Sequence, residues 1–147
     1  MEYTWYTDGS CLKNPGGPGG WAFTCVEYPE FTQYGSNACT TNNIMEMTAC
    51  IECIQFIINN QLTNDIHSIY TDSVYVKNGI NIWIHNWLKN NWKTANKQDV
   101  KNKELWISLH ECSKKVIIEW NWVKGHNKNP HNEKVDELAR QAAYCFS

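Results

Sequence analysis

From Tyr3 to Asp8 the chain alternates, with Tyr3, Trp5 and Thr7 set against Thr4, Tyr6 and Asp8. Period two in β-branched and aromatic residues predicts a strand. The strand ends on a carboxylate followed by Gly9-Ser10. A carboxylate there is costly to bury unless something positive sits beside it. His67–Ser73 repeats the pattern and also ends on Thr-Asp, at Thr71-Asp72. Side by side in one sheet, the two strands would project Asp8 and Asp72 at the same edge, close enough to share a cation. Trp21–Tyr28 and Phe31–Cys39 read as further strands, after the turn-rich stretch Asn14–Gly20. Their short links imply an antiparallel three-strand meander. Val116–Val123 predicts a fifth strand.

Helical spacing takes over between these runs. Met47, Cys50, Ile51, Ile54 and Ile58 recur at helical intervals after the punctuation Thr40-Thr41-Asn42-Asn43. Glu46 falls in the first turn of that helix. Asn43-x-x-Glu46 also resembles a capping box, in which the glutamate would only satisfy backbone N–H groups. Ser73 can cap a helix over Val74–Ile82, and Leu105, Leu109 and Cys112 predict another over Asn102–Ser113. Lys124–Asn129 reads as a polar loop containing His126. Asn129 then serves as N-cap with Pro130 at the first helical position. Val135, Leu138, Ala139, Ala142, Ala143 and Phe146 form the last apolar stripe, with Asn132, Glu133 and Asp136 on its flank. The order βββ-α-β-α(α)α-β-α implies an α/β fold with a mixed sheet, in which helices cross over between parallel neighbours.

Composition adds an asymmetry. The chain of 147 residues suits one domain with a real core, and its formal net charge is only −2. From Asn81 to Lys103, however, five lysines face a single acid, which leaves −6 for everything else. A basic arm beside an acidic site is the implication. Trp83, Trp87 and Trp92 are interleaved with Lys89, Lys93 and Lys97 in that arm. Indole faces could pack on sugars or bases while lysines meet phosphates. Alternatively the indoles are core and the lysines a solvated rim. Seven cysteines show no disulfide framework, which points to a reduced, intracellular protein, cytoplasmic or nuclear. Cys50-x-x-Cys53 lies in a helical pattern without a second ligand pair, so packing accounts for it. No apolar run is long enough for a membrane span, and no membrane partner is expected.

Asp8, Glu46, Asp72 and Asp136 thus stand at element ends. At this point the chain closely resembles ribonuclease H type 1 over essentially its whole length. The matching motifs are Thr7-Asp-Gly-Ser-Cys-Leu12, Asn14-Pro15, Thr40-Thr-Asn-Asn43 with Met45-Glu46, Thr71-Asp72-Ser73, Trp83-Ile-His-Asn-Trp87, Trp92-Lys-Thr-Ala95, Trp122-Val-Lys-Gly-His126 and Asp136-Glu-Leu-Ala-Arg140. Each piece alone is weak; in this order and spacing they are specific.

The resemblance implies the ribonuclease H-like fold, a five-stranded mixed sheet with helices on both faces, as a single catalytic domain over 1–147. It implies an endoribonuclease that cuts the RNA strand of RNA–DNA hybrids by two-metal-ion catalysis. Ends would be 5′-phosphate and 3′-hydroxyl, with cleavage largely independent of sequence. Two Mg²⁺ ions with substrate, or Mn²⁺, would be held by Asp8, Glu46, Asp72 and Asp136. His126 would be an auxiliary group. Asn14, Thr41, Asn42 and Asn43 would contact the nucleic acid, and the Trp83–Lys103 arm would hold the DNA strand. A monomer is expected. Leu88, Asn90 and Asn91 make this arm less basic than in many relatives, and Val74 and Ile44 depart from familiar residues. Rival readings are a nuclease-dead hybrid-binding module and a DNA-processing enzyme of the same fold.

Overall fold

A computed structural model describes residues 1–124 and 129–145. The elements follow in order: β1 Glu2–Cys11, β2 Gly19–Cys25, β3 Gln33–Asn37, α1 Asn42–Asn59 and β4 Ile66–Thr71. After them come α2 Val74–Asn78, a π-helical turn Gly79–Trp83, α3 Ile84–Lys89, α4 Lys103–Ser113, β5 Ile117–Trp122 and α5 Pro130–Tyr144. The sheet order is β3-β2-β1-β4-β5. β1 and β2 are antiparallel, as are β2 and β3. β4 lies parallel to β1, and β5 lies parallel to β4. This is the mixed five-stranded sheet that the pattern predicts.

Alternation along β1 sorts its side chains between two cores. Tyr3 and Trp5 join the larger one, with Ile54 and Ile57 of α1 and with Trp106 and Leu109 of α4. Tyr6 packs instead with Ala22, Val135 and Ala139, beneath α5. Helices therefore cover both faces of the sheet. The larger core holds a polar pair that no sequence pattern announces. His67 on β4 is fully buried. Its Nδ1 accepts from Trp5 Nε1 at 2.9 Å, and its Nε2 lies 2.8 Å from Leu62 O. These partners place the proton on Nε2 and leave both nitrogens satisfied. Burial depresses the His67 pKa, which keeps the ring neutral.

Several boundaries differ from the predicted ones: β2 ends at Cys25 rather than Tyr28, and three further shifts have a visible cause. β1 continues through Gly9-Ser10-Cys11, paired with Gly19–Trp21. It passes so close beneath α1 that a Cβ on Gly9 would lie 2.3 Å from the Glu46 backbone nitrogen. β3 is only Gln33–Asn37. Phe31, predicted as its start, stacks on Trp5 at 6.3 Å, so packing claims it before pairing does. The predicted helix 74–82 runs on to Lys89 through the π-helical turn. Gly79 opens that turn, and a Cβ there would lie 1.9 Å from the Trp106 ring. The wider turn accommodates the close crossing of this segment over α4.

Candidate active site

The registers Tyr6↔Tyr70 and Thr7↔Thr71 set the end of β4 beside the middle of β1, where their parallel pairing stops. The next residues along the chain are Asp8, still on β1, and Asp72, just past β4, which brings the two aspartates together. Asp8 is 3% exposed, and its Oδ1 accepts the Gly9 N–H at 2.9 Å. Asp72 is half-buried where the chain turns into α2. That turn is braced by Ser73 N donating to Thr71 Oγ1 at 3.1 Å and by Val76 N donating to Ser73 Oγ at 3.1 Å. Trp122 Nε1 donates to the Asp72 carbonyl at 3.2 Å, and Lys77 Nζ sits 4.8 Å from the Trp122 ring centre. The indole thus ties the end of β5 to this turn.

Glu46 arrives from α1. The cap of that helix is Thr41, whose Oγ1 accepts from Ile44 N at 3.1 Å. The capping-box reading of Asn43 and Glu46 is therefore set aside. Glu46 lies more than one turn beyond the cap, and its carboxylate serves no backbone N–H there. It is 9% exposed, and its Oε1 is buried without a hydrogen-bond partner. One carboxylate oxygen from each of Asp8, Glu46 and Asp72 falls within 4.8 Å of the other two. Burial first, and then the negative charge of Asp72, pushes Asp8 up to about 8. Burial, with Asp8 and Asp72 beside it, also raises Glu46 well above the ordinary range.

Such a cluster costs free energy by itself and is relieved by a hard divalent cation with oxygen ligands. The orphaned Glu46 oxygen, aimed among two other carboxylates, fits that demand. Asp136, on α5, lines the same open cleft of about 450 Å³ with Asp8, Glu46 and Asp72. It stands outside the tight trio, and its Oδ2 forms an ion pair with Arg140 Nε at 3.3 Å. His126 lies outside the described residues.

The other predicted residues divide into two groups. Asn42 and Asn43 line the cleft. Asn14 Oδ1 accepts from Asn42 N at 3.0 Å, and Asn42 Oδ1 accepts from Cys11 N at 2.7 Å. With Thr41 as cap, these side chains brace the loops at the start of α1. In the arm, Trp83, Trp87 and Trp92 are half-buried against the larger core. Their rings form a chain, with Trp83–Trp87 at 5.9 Å and Trp87–Trp92 at 6.0 Å, and Trp87 lies 5.5 Å from buried Trp106. Lys89 and Lys97 are exposed, whereas Lys93 pairs with Asp99. Sequence reasoning assigned no site role to Gly9, Val74 and Tyr75, which also line the cleft. Adjacency to Asp8 and Asp72 was the available signal for all three.

Comparison with known proteins agrees with this geometry. The family model described as RNase H matches residues 1–144. A ribonuclease H of Bartonella tribocorum is 49% identical over 138 residues, covering 93% of this chain and 86% of that protein. One of Treponema pallidum is 46% identical over 154 residues, covering 95% and 89%. The crystal structure of LC9-RNase H1, a type 1 RNase H with the type 2 active-site motif, superposes with a TM-score of 0.86. It is 29% identical and is matched over 99% of this chain and 74% of its own. Sequence motifs, sheet order and carboxylate edge converge, and the chain belongs to the RNase H family, type 1.

Proposed function

We propose that this chain hydrolyses the RNA strand of RNA–DNA hybrids as a metal-dependent endonuclease, leaving 5′-phosphate and 3′-hydroxyl ends with little regard to sequence. The observation that carries this reading is the trio Asp8, Glu46 and Asp72 within 4.8 Å, with one Glu46 oxygen unpartnered. A pure hybrid binder would gain nothing from placing buried carboxylates against phosphate. Two Mg²⁺ ions, or Mn²⁺, held by these residues and Asp136 would neutralise the phosphodiester, lower the pKa of water and stabilise the leaving 3′ oxygen.

The chain's own groups do the positioning. The Gly9 N–H orients Asp8, the capped turn at Ser73 orients Asp72, and the buried shaft of α1 fixes Glu46. Arg140 holds Asp136 at the cleft wall. His126 we assign an auxiliary role in proton movement near neutral pH. Asn14, Thr41, Asn42 and Asn43 take the backbone beside the cleft. Trp83, Trp87, Trp92, Lys89, Lys93 and Lys97 take the DNA strand. Discrimination of RNA rests on duplex shape and the 2′-hydroxyl. Residues 1–147 act as one catalytic domain and as a monomer, in a reducing compartment that suits seven unpaired cysteines, cytoplasmic or nuclear. The test is Mg²⁺-dependent cleavage of matched hybrid, duplex DNA and duplex RNA. Hybrid alone should be cut, in its RNA strand. Cleavage of duplex DNA, or hybrid binding without any cleavage, would overturn the proposal.

A further inference from the structure

The basic arm carries its own counter-charge. Asp99 is the one acid between Asn81 and Lys103. Its Oδ1 accepts from Lys93 Nζ at 2.5 Å and lies 3.5 Å from Lys103 Nζ. The backbone at Lys93 and Asp99 pairs as an isolated antiparallel bridge. Inside it, Thr94 N donates to Gln98 O at 2.7 Å, Lys97 N donates to Thr94 O at 2.9 Å, and Lys97 is left-handed at φ 61°. Residues 93–99 therefore form a closed turn, pinned at its neck by one carboxylate between two ammonium groups.

Stability does not explain this carboxylate. Its side chain is 59% exposed, and surface pairs of this kind contribute little to folding. The hydrogen bond from Lys93, then the charge of Lys103, holds the Asp99 carboxyl below its usual range, so it stays ionised at neutral pH. Among the described residues, Lys89, Lys97 and Lys101 have no such partner. A lysine already bound to a carboxylate cannot neutralise a phosphate at full strength. It must release the carboxylate, or bring a negative charge within one Debye length of the phosphate.

We propose that Asp99 is a built-in competitor for the nucleic-acid backbone, occupying Lys93 and Lys103 and setting hybrid affinity below what five lysines would give. This rests on reading the arm as the handle for the DNA strand. Asp99→Asn keeps an oxygen acceptor for Lys93 while removing the charge, so the turn should persist and the melting temperature should hold.

The experiment is fluorescence anisotropy of a labelled RNA–DNA hybrid in EDTA across a salt series, with cleavage in Mg²⁺ measured alongside. Asp99→Asn should bind about three- to tenfold tighter at ~0.1 M salt, with a log Kd–log salt slope steeper by about one to two. In a Lys93→Ala/Lys103→Ala background the same substitution should change Kd less than about twofold. An unchanged or weakened Kd for Asp99→Asn, or an equal gain in that background, overturns the inference. If the wild type cleaves hybrid while Asp99→Asn binds no tighter, the inference alone fails. If Asp99→Asn binds tighter but no hybrid is cut, the proposed function alone fails.

Discussion

At the scale of single residues the site turns on Asp8. Asp8→Asn keeps an acceptor for the Gly9 N–H but removes one of three crowded charges. Turnover should fall at least about a hundredfold, while hybrid binding survives. Near-wild-type cleavage by this variant would remove Asp8 from the mechanism. Stability without metal provides a second readout. Asp8 binds its proton more tightly folded than unfolded, about 8 against a reference of 3.8. Its ionisation therefore destabilises the fold progressively as pH rises through that window. Asp8→Asn should match the wild type near pH 4 and exceed it by roughly 2–4 kcal/mol near pH 8 in EDTA. Urea denaturation at both pH values checks this, and an equal difference at both would contradict it. Asp8 and Asp72 were legible because two alternating stretches both close on Thr-Asp. Glu46 was ambiguous because its spacing from Asn43 also fits a cap, and only the fold shows Thr41 in that role. The Trp5–His67 bond was illegible, since its partners are joined by sheet register rather than by any local pattern.

At the scale of elements, the approach of α1 to β1 places Glu46. Gly9 allows it: an added Cβ would meet the Glu46 nitrogen at 2.3 Å and the Met45 carbonyl carbon at 2.3 Å, both unyielding backbone. Gly9→Ala should cost about 1–3 kcal/mol in stability. It should also lower kcat about tenfold or more in the fraction that remains folded, because small misplacements of reacting groups are expensive. Equilibrium denaturation paired with single-turnover cleavage separates the two effects, and unchanged kcat would show that α1 can shift without moving Glu46. Strand and helix types were readable because their apolar periods are strong. The boundaries at Gly9, Phe31 and Gly79 were not, because each is set by a contact from elsewhere in the chain. Those contacts are α1 on Gly9, Trp5 on Phe31 and Trp106 on Gly79.

At the scale of the molecule, one fold carries both a largely buried acidic cluster and an exposed lysine-bearing arm. The sequence left two roles open for the arm, and the fold divides them: Trp83 and Trp87 lean on Trp106, Trp92 leans on Trp87, and Lys89 and Lys97 reach solvent. Replacing Lys89, Lys93 and Lys97 together with alanine should raise KM roughly tenfold and leave kcat within about twofold, since those contacts are shared by ground and transition states. Because Lys93 is already engaged by Asp99, the salt slope should fall by about two rather than three. Steady-state kinetics across a salt series tests this, and a fall in kcat at constant KM would remove the arm as the substrate handle.

The row of indoles has an optical consequence. Trp83, Trp87, Trp92 and Trp106 are linked ring to ring at separations of 5.5–6.4 Å. Transition dipoles at such spacing couple, so these rings absorb as a set rather than as isolated chromophores. The arm should give an exciton signature in circular dichroism that Trp106→Phe weakens. Any ligand that shifts one ring against the next would then announce itself without a label.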